Sequence, residues 1–220
     1  MLKKIERAQQ LLKKEAAVFR CPTCHEPMHV EGVGLICQQR HQFDLSKKGT
    51  LYFLNHGVQT EYNKKMFTSR GKMIQSGMYA PVLNKIMHYL PQNKTVVDVG
   101  CSEGSFLAEL SQAGLSGLKI GFDLSKEGIY LASNQPIDAF WCVADLTNLP
   151  FADQGLDTIL NIFSPSHYQE FRRVLKADGT VIKIIPEENY LKELRAAFYP
   201  NDEKKQSYSN QKVVDRKSVV

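Results

Sequence analysis

From residue 95 onward, apolar runs of four to seven residues alternate with stretches of helical periodicity. Strand-like runs fall at 95–99, 118–122, 140–143, 156–162 and 180–185. Helical patterns fall between them at 103–114, 126–134, 166–175 and 187–198. Repeated β-α units of this length predict an α/β fold: a Rossmann-like, doubly wound, mainly parallel sheet with helices on both faces. Upstream the pattern changes. Leu2, Ile5, Ala8, Leu11, Leu12 and Ala16 line one face of an amphipathic helix that packs on the body. Val82, Leu83, Ile86, Met87 and Leu90 mark a second helix that covers the sheet, and residues 57–79 have weak helical character. The resulting division is an N-terminal helix (1–18), a small module (19–56), a linker with its covering helix (57–94), the α/β domain (95–200) and a polar tail (201–220).

The small module carries the first candidate chemistry. Cys21, Cys24, Cys37 and His41 are spaced C-x2-C-x12-C-x3-H. Three thiolates and an imidazole complete a tetrahedral set for Zn2+, and with no open position the site is structural. Residues 28–36 read as a hairpin that brings the two pairs together. Arg20, Arg40, Lys47, Lys48, Tyr52 and Phe53 around the knuckles fit a nucleic-acid surface and a plain solvated face equally well. Five cysteines, an odd number without a secretory signal, point to the cytoplasm. No apolar run approaches membrane-spanning length. A net charge of +5 permits a polyanionic partner without demanding one.

The second candidate site is the turn after the first α/β strand, Asp98-Val99-Gly100-Cys101-Ser102-Glu103-Gly104. A strand, a glycine turn and a helix start put backbone N–H groups at the carboxyl edge of a sheet, where nucleotide-like ligands bind. Asp123 ends the second strand, where a carboxylate can accept ribose hydroxyls. Helix capping is the competing reading there. Asp145-Leu146 ends the third strand, within reach of an adenine amino group. The chain has neither G-x-G-x-x-G nor G-x4-G-K-[ST], which disfavours dinucleotides and nucleoside triphosphates. A nucleoside without phosphates, held by carboxylates, fits S-adenosyl-L-methionine.

The α/β body resembles a class I S-adenosylmethionine-dependent methyltransferase. The 98–104 turn stands as its first motif, Leu149-Pro150-Phe151-Ala152-Asp153-Gln154-Gly155-Leu156-Asp157 leads into its fourth strand, and the 171–180 stretch precedes its fifth. With the Cys/His set and Arg40-His41-Gln42-Phe43-Asp44, the chain is similar to the large-subunit ribosomal RNA methyltransferase A family. Its members methylate N1 of a guanine in a 23S rRNA hairpin. The resemblance implies that hairpin as partner, no membrane, and leaves a homodimer open. It also implies a cofactor contact for Tyr79 in Gly77-Met78-Tyr79-Ala80-Pro81. Ser102 replaces the family's usual glycine, and Tyr190 stands where a cofactor-contacting histidine is usual. Asn161, Phe163, Ser164 and Pro165 occupy the usual target-base pocket, with Phe163 placed to stack or simply to fill core. No catalytic base is assigned. The family's closing antiparallel strands are not legible, so the chain reads as C-terminally shortened. On this reading zinc chelation unfolds the first 55 residues and leaves cofactor binding largely intact.

Overall fold

The computed structural model describes residues 2–55, 57–58 and 62–202. The predicted polar tail therefore lies, from residue 203 on, outside the described residues. The chain forms two compact units, Met1–Ile182 and Lys183–Val220.

The first unit opens with α1 (Lys4–Glu15) and a 3-10 turn (Ala16–Val18). Ala8 and Leu12, one turn apart, are its buried residues. Three short strands follow: β1 (Met28–Glu31), β2 (Gly34–Cys37) and β3 (Gln42–Asp44) form an antiparallel sheet of their own. Gly32, at φ +59°, turns the β1–β2 hairpin, and β2 ends on Cys37. The hairpin expected at 28–36 thus delivers Cys37, the first member of the second ligand pair.

The main sheet has six strands in the order β4-β7-β6-β5-β8-β9. These are β4 (Thr50–Tyr52), β5 (Val96–Val99), β6 (Lys119–Asp123), β7 (Phe140–Val143), β8 (Leu156–Ile162) and β9 (Leu175–Ile184). Pairings β4·β7, β7·β6, β6·β5 and β5·β8 are all parallel. Its helices are α2 (Lys64–Gln75), α3 (Ala80–Tyr89), α4 (Ser105–Gln112), α5 (Lys126–Ala132) and α6 (Tyr168–Val174). From central β5 the chain steps outward through β6 and β7, then returns to the other side of β5 for β8. That reversal opens a crevice at the carboxyl ends of the strands, which is where open α/β sheets bind ligands.

Two sequence expectations change here. The 50–52 segment was expected inside the small module, but it pairs with β7 as the edge strand of the main sheet. Its three residues are too few to show a period. An aromatic cluster explains the fusion. Phe19 packs on Phe53 (5.7 Å), Phe140 (5.0 Å) and Phe151 (5.9 Å), and Phe43 on Phe53 (5.1 Å). Residues 19–53 therefore share one hydrophobic core with the α/β body instead of folding around their own. The second change is at β9, which starts at Leu175 directly from α6, five residues ahead of the predicted 180.

The second unit, taken by itself, carries the end of β9 and α7 (Lys192–Phe198). Helix was expected from 187, but Leu191 at φ +55° precedes it and the preceding residues form turns. α7 buries none of its residues, and Phe198 is 74% exposed.

Candidate functional site

Each half of the metal centre is a tight turn closed by a left-handed residue. His25 (φ +63°) donates its N–H to the Cys21 carbonyl (2.9 Å). Arg40 (φ +65°) donates to the Cys37 carbonyl (3.0 Å). The turns bring Cys21, Cys24, Cys37 and His41 together, with their ligand atoms all within 4.8 Å of one another. Cys24 and Cys37 sulfurs lie 3.5 Å apart, and His41 Nδ1 lies 3.4 Å from the Cys37 sulfur. Burial pushes the Cys37 thiol up, but the His41 N–H and the neighbouring thiol and imidazole outweigh it and hold it down at about 7. A set of soft, converging donors, three thiols and an imidazole, fits Zn2+. His25 and His29 stand outside it. The centre is tied to the body: the Asn148 side chain donates to the Pro22 carbonyl (2.8 Å), and Arg20 pairs with Asp153 (2.9 Å).

Asp153 belongs to the predicted motif ahead of β8, and the structure shows what that motif does. Arg173 on α6 donates to the carbonyls of Phe151 (2.8 Å) and Leu149 (2.9 Å) and pairs with Asp153 (2.7 Å) and Glu170 (2.6 Å). Glu170 in turn accepts the Leu149 N–H (2.7 Å). Asp157 accepts the Thr95 N–H (2.9 Å) and pairs with Lys176 (2.9 Å). These residues lock the loop before β8 to α6 and to the metal turn. They are architectural.

At the crevice, the turn after β5 alternates handedness: Gly100 (φ +68°), Ser102 (φ +52°) and Gly104 (φ +77°) are all left-handed. Gly104 is required twice over, since a Cβ there would lie 2.6 Å from the Trp141 ring. Ser102, in place of the family's glycine, tolerates its φ because the Asp123 carboxylate holds its N–H at 2.9 Å. The other Asp123 oxygen accepts the Ser125 N–H (2.8 Å). Asp123 is thus at once a turn-former and a carboxylate facing the crevice, each oxygen keeping acceptor capacity beyond these bonds. Asp145 is similar, accepting both the N–H and the hydroxyl of Thr147 at 2.8 Å, with Leu146 half-buried beside it.

Asp98 differs from both. It is 2% exposed, and its buried Oδ2 has no hydrogen-bond partner among the described residues. Burial pushes its carboxyl up to about 7, the nearby Arg70 opposing and Glu103 and Asp123 reinforcing the rise. Glu103, 4% exposed, pairs through both oxygens with Arg70 Nη1 (3.2 and 3.0 Å). An orphaned buried carboxylate oxygen, a glycine-opened turn and two further carboxylates fit a ligand that carries both cationic and hydroxyl groups. S-adenosylmethionine has a sulfonium, an ammonium and ribose hydroxyls, so the residues present fit it.

Tyr79 is buried at the start of α3 and packs edge-on against Phe106 (5.3 Å) and beside Phe163 (5.8 Å). These rings border the turn, since Phe106 is the second residue of α4. Phe163 is left-handed (φ +54°) and half-buried. Asn161 and Ser164, expected at the target-base pocket, have their polar atoms engaged within their own loop and with β5. Asn161 is fully buried, and its amide donates to the Ser164 and Pro165 carbonyls while its oxygen accepts the Ser166 hydroxyl (2.7 Å). The Ser164 hydroxyl donates to the Val99 carbonyl (2.6 Å), and its Cβ fills the space a side chain at Gly100 would need. Both residues staple the 161–166 loop to the end of β5. Pro165 is exposed. Tyr190 lies in a turn of the second unit, half-buried there.

Sequence reasoning missed Arg70 and Trp141. Arg70 had a signal: with Phe67, Gly71 and Ile74 it makes an i, i+3, i+4, i+7 stripe, a cation on the buried face of α2. Trp141 had none, because its neighbours Gly104 and Gly121 are remote in sequence.

Comparison with known proteins bears on both halves. A family model described as RlmA, N-terminal, matches residues 19–55, and one described as a methyltransferase domain matches residues 96–179. A protein of Bacillus subtilis (strain 168), provisionally named 23S rRNA (guanine-N(1)-)-methyltransferase YxjB, is 41% identical over 212 residues. The match covers 91% of this chain and 75% of that protein. The chain belongs to the 23S rRNA (guanine-N1)-methyltransferase family. The 23S rRNA (guanine(748)-N(1))-methyltransferase of Streptomyces fradiae is 27% identical, with 83% of this chain and 68% of that one covered. Among solved structures, a provisionally assigned S-adenosyl-L-methionine-dependent methyltransferase from Methanococcus maripaludis superposes with a TM-score of 0.55. It is 16% identical and covers 73% of this chain and 84% of its own, a likeness of fold. As a member of this family the chain is a class I, S-adenosylmethionine-dependent methyltransferase with an N-terminal zinc ribbon. Among the described residues, no helix is long and apolar enough to cross a membrane.

Proposed function

We propose that this chain transfers the methyl group of S-adenosylmethionine to N1 of a guanine in a 23S rRNA hairpin. The observation that carries the reading is the joining of two sites in one core. The Cys/His centre is bound to the loop before β8, and β4, which follows the ribbon's last strand, edges the sheet whose carboxyl end bears Asp98, Gly100 and Asp123. The cofactor would lie against the 100–104 turn, with Asp98 facing its cationic end, Asp123 its ribose and Asp145-Leu146 its adenine. Bound there, it supplies an electrophilic methyl on sulfur.

The chain's own contribution is placement and exclusion of water. Phe163, half-buried and backed by the buried rings of Tyr79 and Phe106, is the member of this aromatic group that a flat base can stack on, and the stapled 161–166 loop sets it beside the turn. His167, the imidazole nearest that loop in sequence, uses Nδ1 to accept the Glu170 N–H (3.2 Å) and so caps α6. We assign the N1 proton to solvent, with no side chain as base. Arg40 and Lys47 are exposed on the zinc ribbon and its following turn and fit the RNA backbone. Pairing of two copies and a cytoplasmic location belong to the same proposal; sedimentation of the pure protein checks the first.

The reading is tested by equilibrium binding of S-adenosylmethionine followed by labelled-methyl transfer. Transfer to rRNA from cells lacking this activity, and not to tRNA or a metabolite extract, is expected. Binding of rRNA without transfer would make the protein a silent RNA binder, and transfer confined to metabolites would make it a small-molecule enzyme. Either result overturns the proposal.

A further inference from the structure

Among the described residues, Arg70 is the basic side chain whose charge acts on both carboxylates of the cofactor turn, the buried Asp98 and the half-buried Asp123, and it also pairs with Glu103. Its geometry is lopsided. Nη1 alone makes both bonds to Glu103, and among the described residues no bond from Nη2 or Nε is found. The guanidinium lies over the Phe106 ring at 4.9 Å, in the same aromatic group as Tyr79 and Phe163. The Arg70 side chain keeps 26% of its surface exposed, while its Glu103 partner keeps 5%.

A guanidinium has five N–H donors in a planar fork suited to a carboxylate. Spending two of them on one nitrogen leaves the remaining edge unmatched. Stacking on Phe106 fixes the plane of that edge, and Gly71 lets α2 press close. A Cβ there would stand 3.2 Å from the Ser105 hydroxyl and 3.4 Å from Glu103 Cγ. The methionine portion of the cofactor carries an α-carboxylate next to its ammonium. Three acids at the turn suit the ammonium and the hydroxyls, and they repel the carboxylate. Something cationic must receive it.

We propose that Arg70 is the carboxylate-binding residue of the cofactor site, holding Glu103 with one nitrogen and the cofactor's α-carboxylate with its free edge. The proposal rests on the S-adenosylmethionine reading of the turn. It makes α2 part of the cofactor site, and it predicts discrimination between ligands that differ by that one group.

The test compares two ligands by isothermal titration on the full chain with zinc: S-adenosylhomocysteine and its decarboxylated analogue. The wild type should prefer S-adenosylhomocysteine by about 10- to 100-fold, the range for a hydrogen-bonded charge pair. In Arg70→Met that preference should vanish, with affinity for the decarboxylated ligand within about threefold of wild type, and Arg70→Lys should recover part of it. The decarboxylated ligand doubles as a folding control. Equal losses for both ligands in Arg70→Met would show that Arg70 merely positions Glu103, and would overturn the proposal. A wild type that binds both ligands equally overturns it too. A wild type that binds neither removes the cofactor reading itself.

Discussion

With burial holding its carboxyl at about 7, Asp98 keeps in the folded chain a proton that the unfolded chain releases near the ordinary 3.8. The native state therefore binds more protons across that window, and stability of the ligand-free protein falls as pH rises through it. Replacing Asp98 by Asn should remove this slope. The wild type, compared with Asp98→Asn by urea denaturation, should lose on the order of a few kcal/mol between pH 4 and 8. A parallel pH dependence in the two proteins would show that Asp98 is ionised throughout. The loop residues make a second case at this scale. Asn161→Ala removes the buried amide that ties the Ser164 and Pro165 carbonyls to the end of β8, so it should cost about 1–2 kcal/mol. A change below about 0.5 kcal/mol would mean the loop is held by other contacts. The chain's residue types announced Asp98 and the four metal donors, because their chemistry is local to short motifs. Asn161 was legible only as a polar residue at a strand end. Whether it faces a substrate or its own loop depends on Ser164, Pro165 and Ser166 folding back over it, which no spacing records.

Among elements, β5 to β8 were legible because each is a continuous apolar run flanked by helical periodicity. β4 was not. Thr50–Tyr52 is short, half-polar, and recruited by pairing with β7 some ninety residues later. Its recruitment changes what zinc does. A self-contained ribbon would melt alone on chelation. Here Phe19, Phe43 and Phe53 share a core with Phe140 and Phe151, so losing the metal should loosen the body as well. Calorimetry before and after chelation should show one transition that moves down as a whole, with weakened S-adenosylhomocysteine binding. Two transitions, the upper one unmoved, would restore the independent module expected from sequence. α6 supplies a related prediction. Arg173→Ala leaves the largely buried Glu170 carboxylate without its ion-pair partner, though the Leu149 N–H still donates to it, and should cost about 3 kcal/mol. A near-neutral result would mean that Glu170 finds another partner.

On the scale of the whole molecule, the basic surface is less simple than the sequence suggested. Arg40 and Lys47 are exposed, but Lys48 sits over the Tyr130 ring (5.1 Å) and Lys126 over Tyr52 (5.8 Å), along the β4 edge of the main sheet. The cations expected on the zinc ribbon thus run on to the α/β body. Replacing Arg40, Lys47 and Lys48 by Ala together should weaken RNA binding most at low salt. It should also lower the slope of log K against log salt by roughly two to three. Unchanged binding across the salt series would remove this surface from the RNA path. The fold class and both sites were legible in the chain because each rests on a local motif. The fusion of the two sites was not, because it rests on aromatic contacts between residues far apart in sequence.

The central claim is that one chain brings a cofactor and a particular edge of a guanine together. Methylation at N1 blocks the pairing edge of guanine and halts reverse transcription. Primer extension across 23S rRNA treated with the protein and S-adenosylmethionine measures this directly. The account predicts one new arrest, at a guanine within a hairpin, that appears only with cofactor and is lost when the turn is disabled by Gly104→Val. Labelled 23S rRNA with no new arrest, or an arrest at another base, would contradict it.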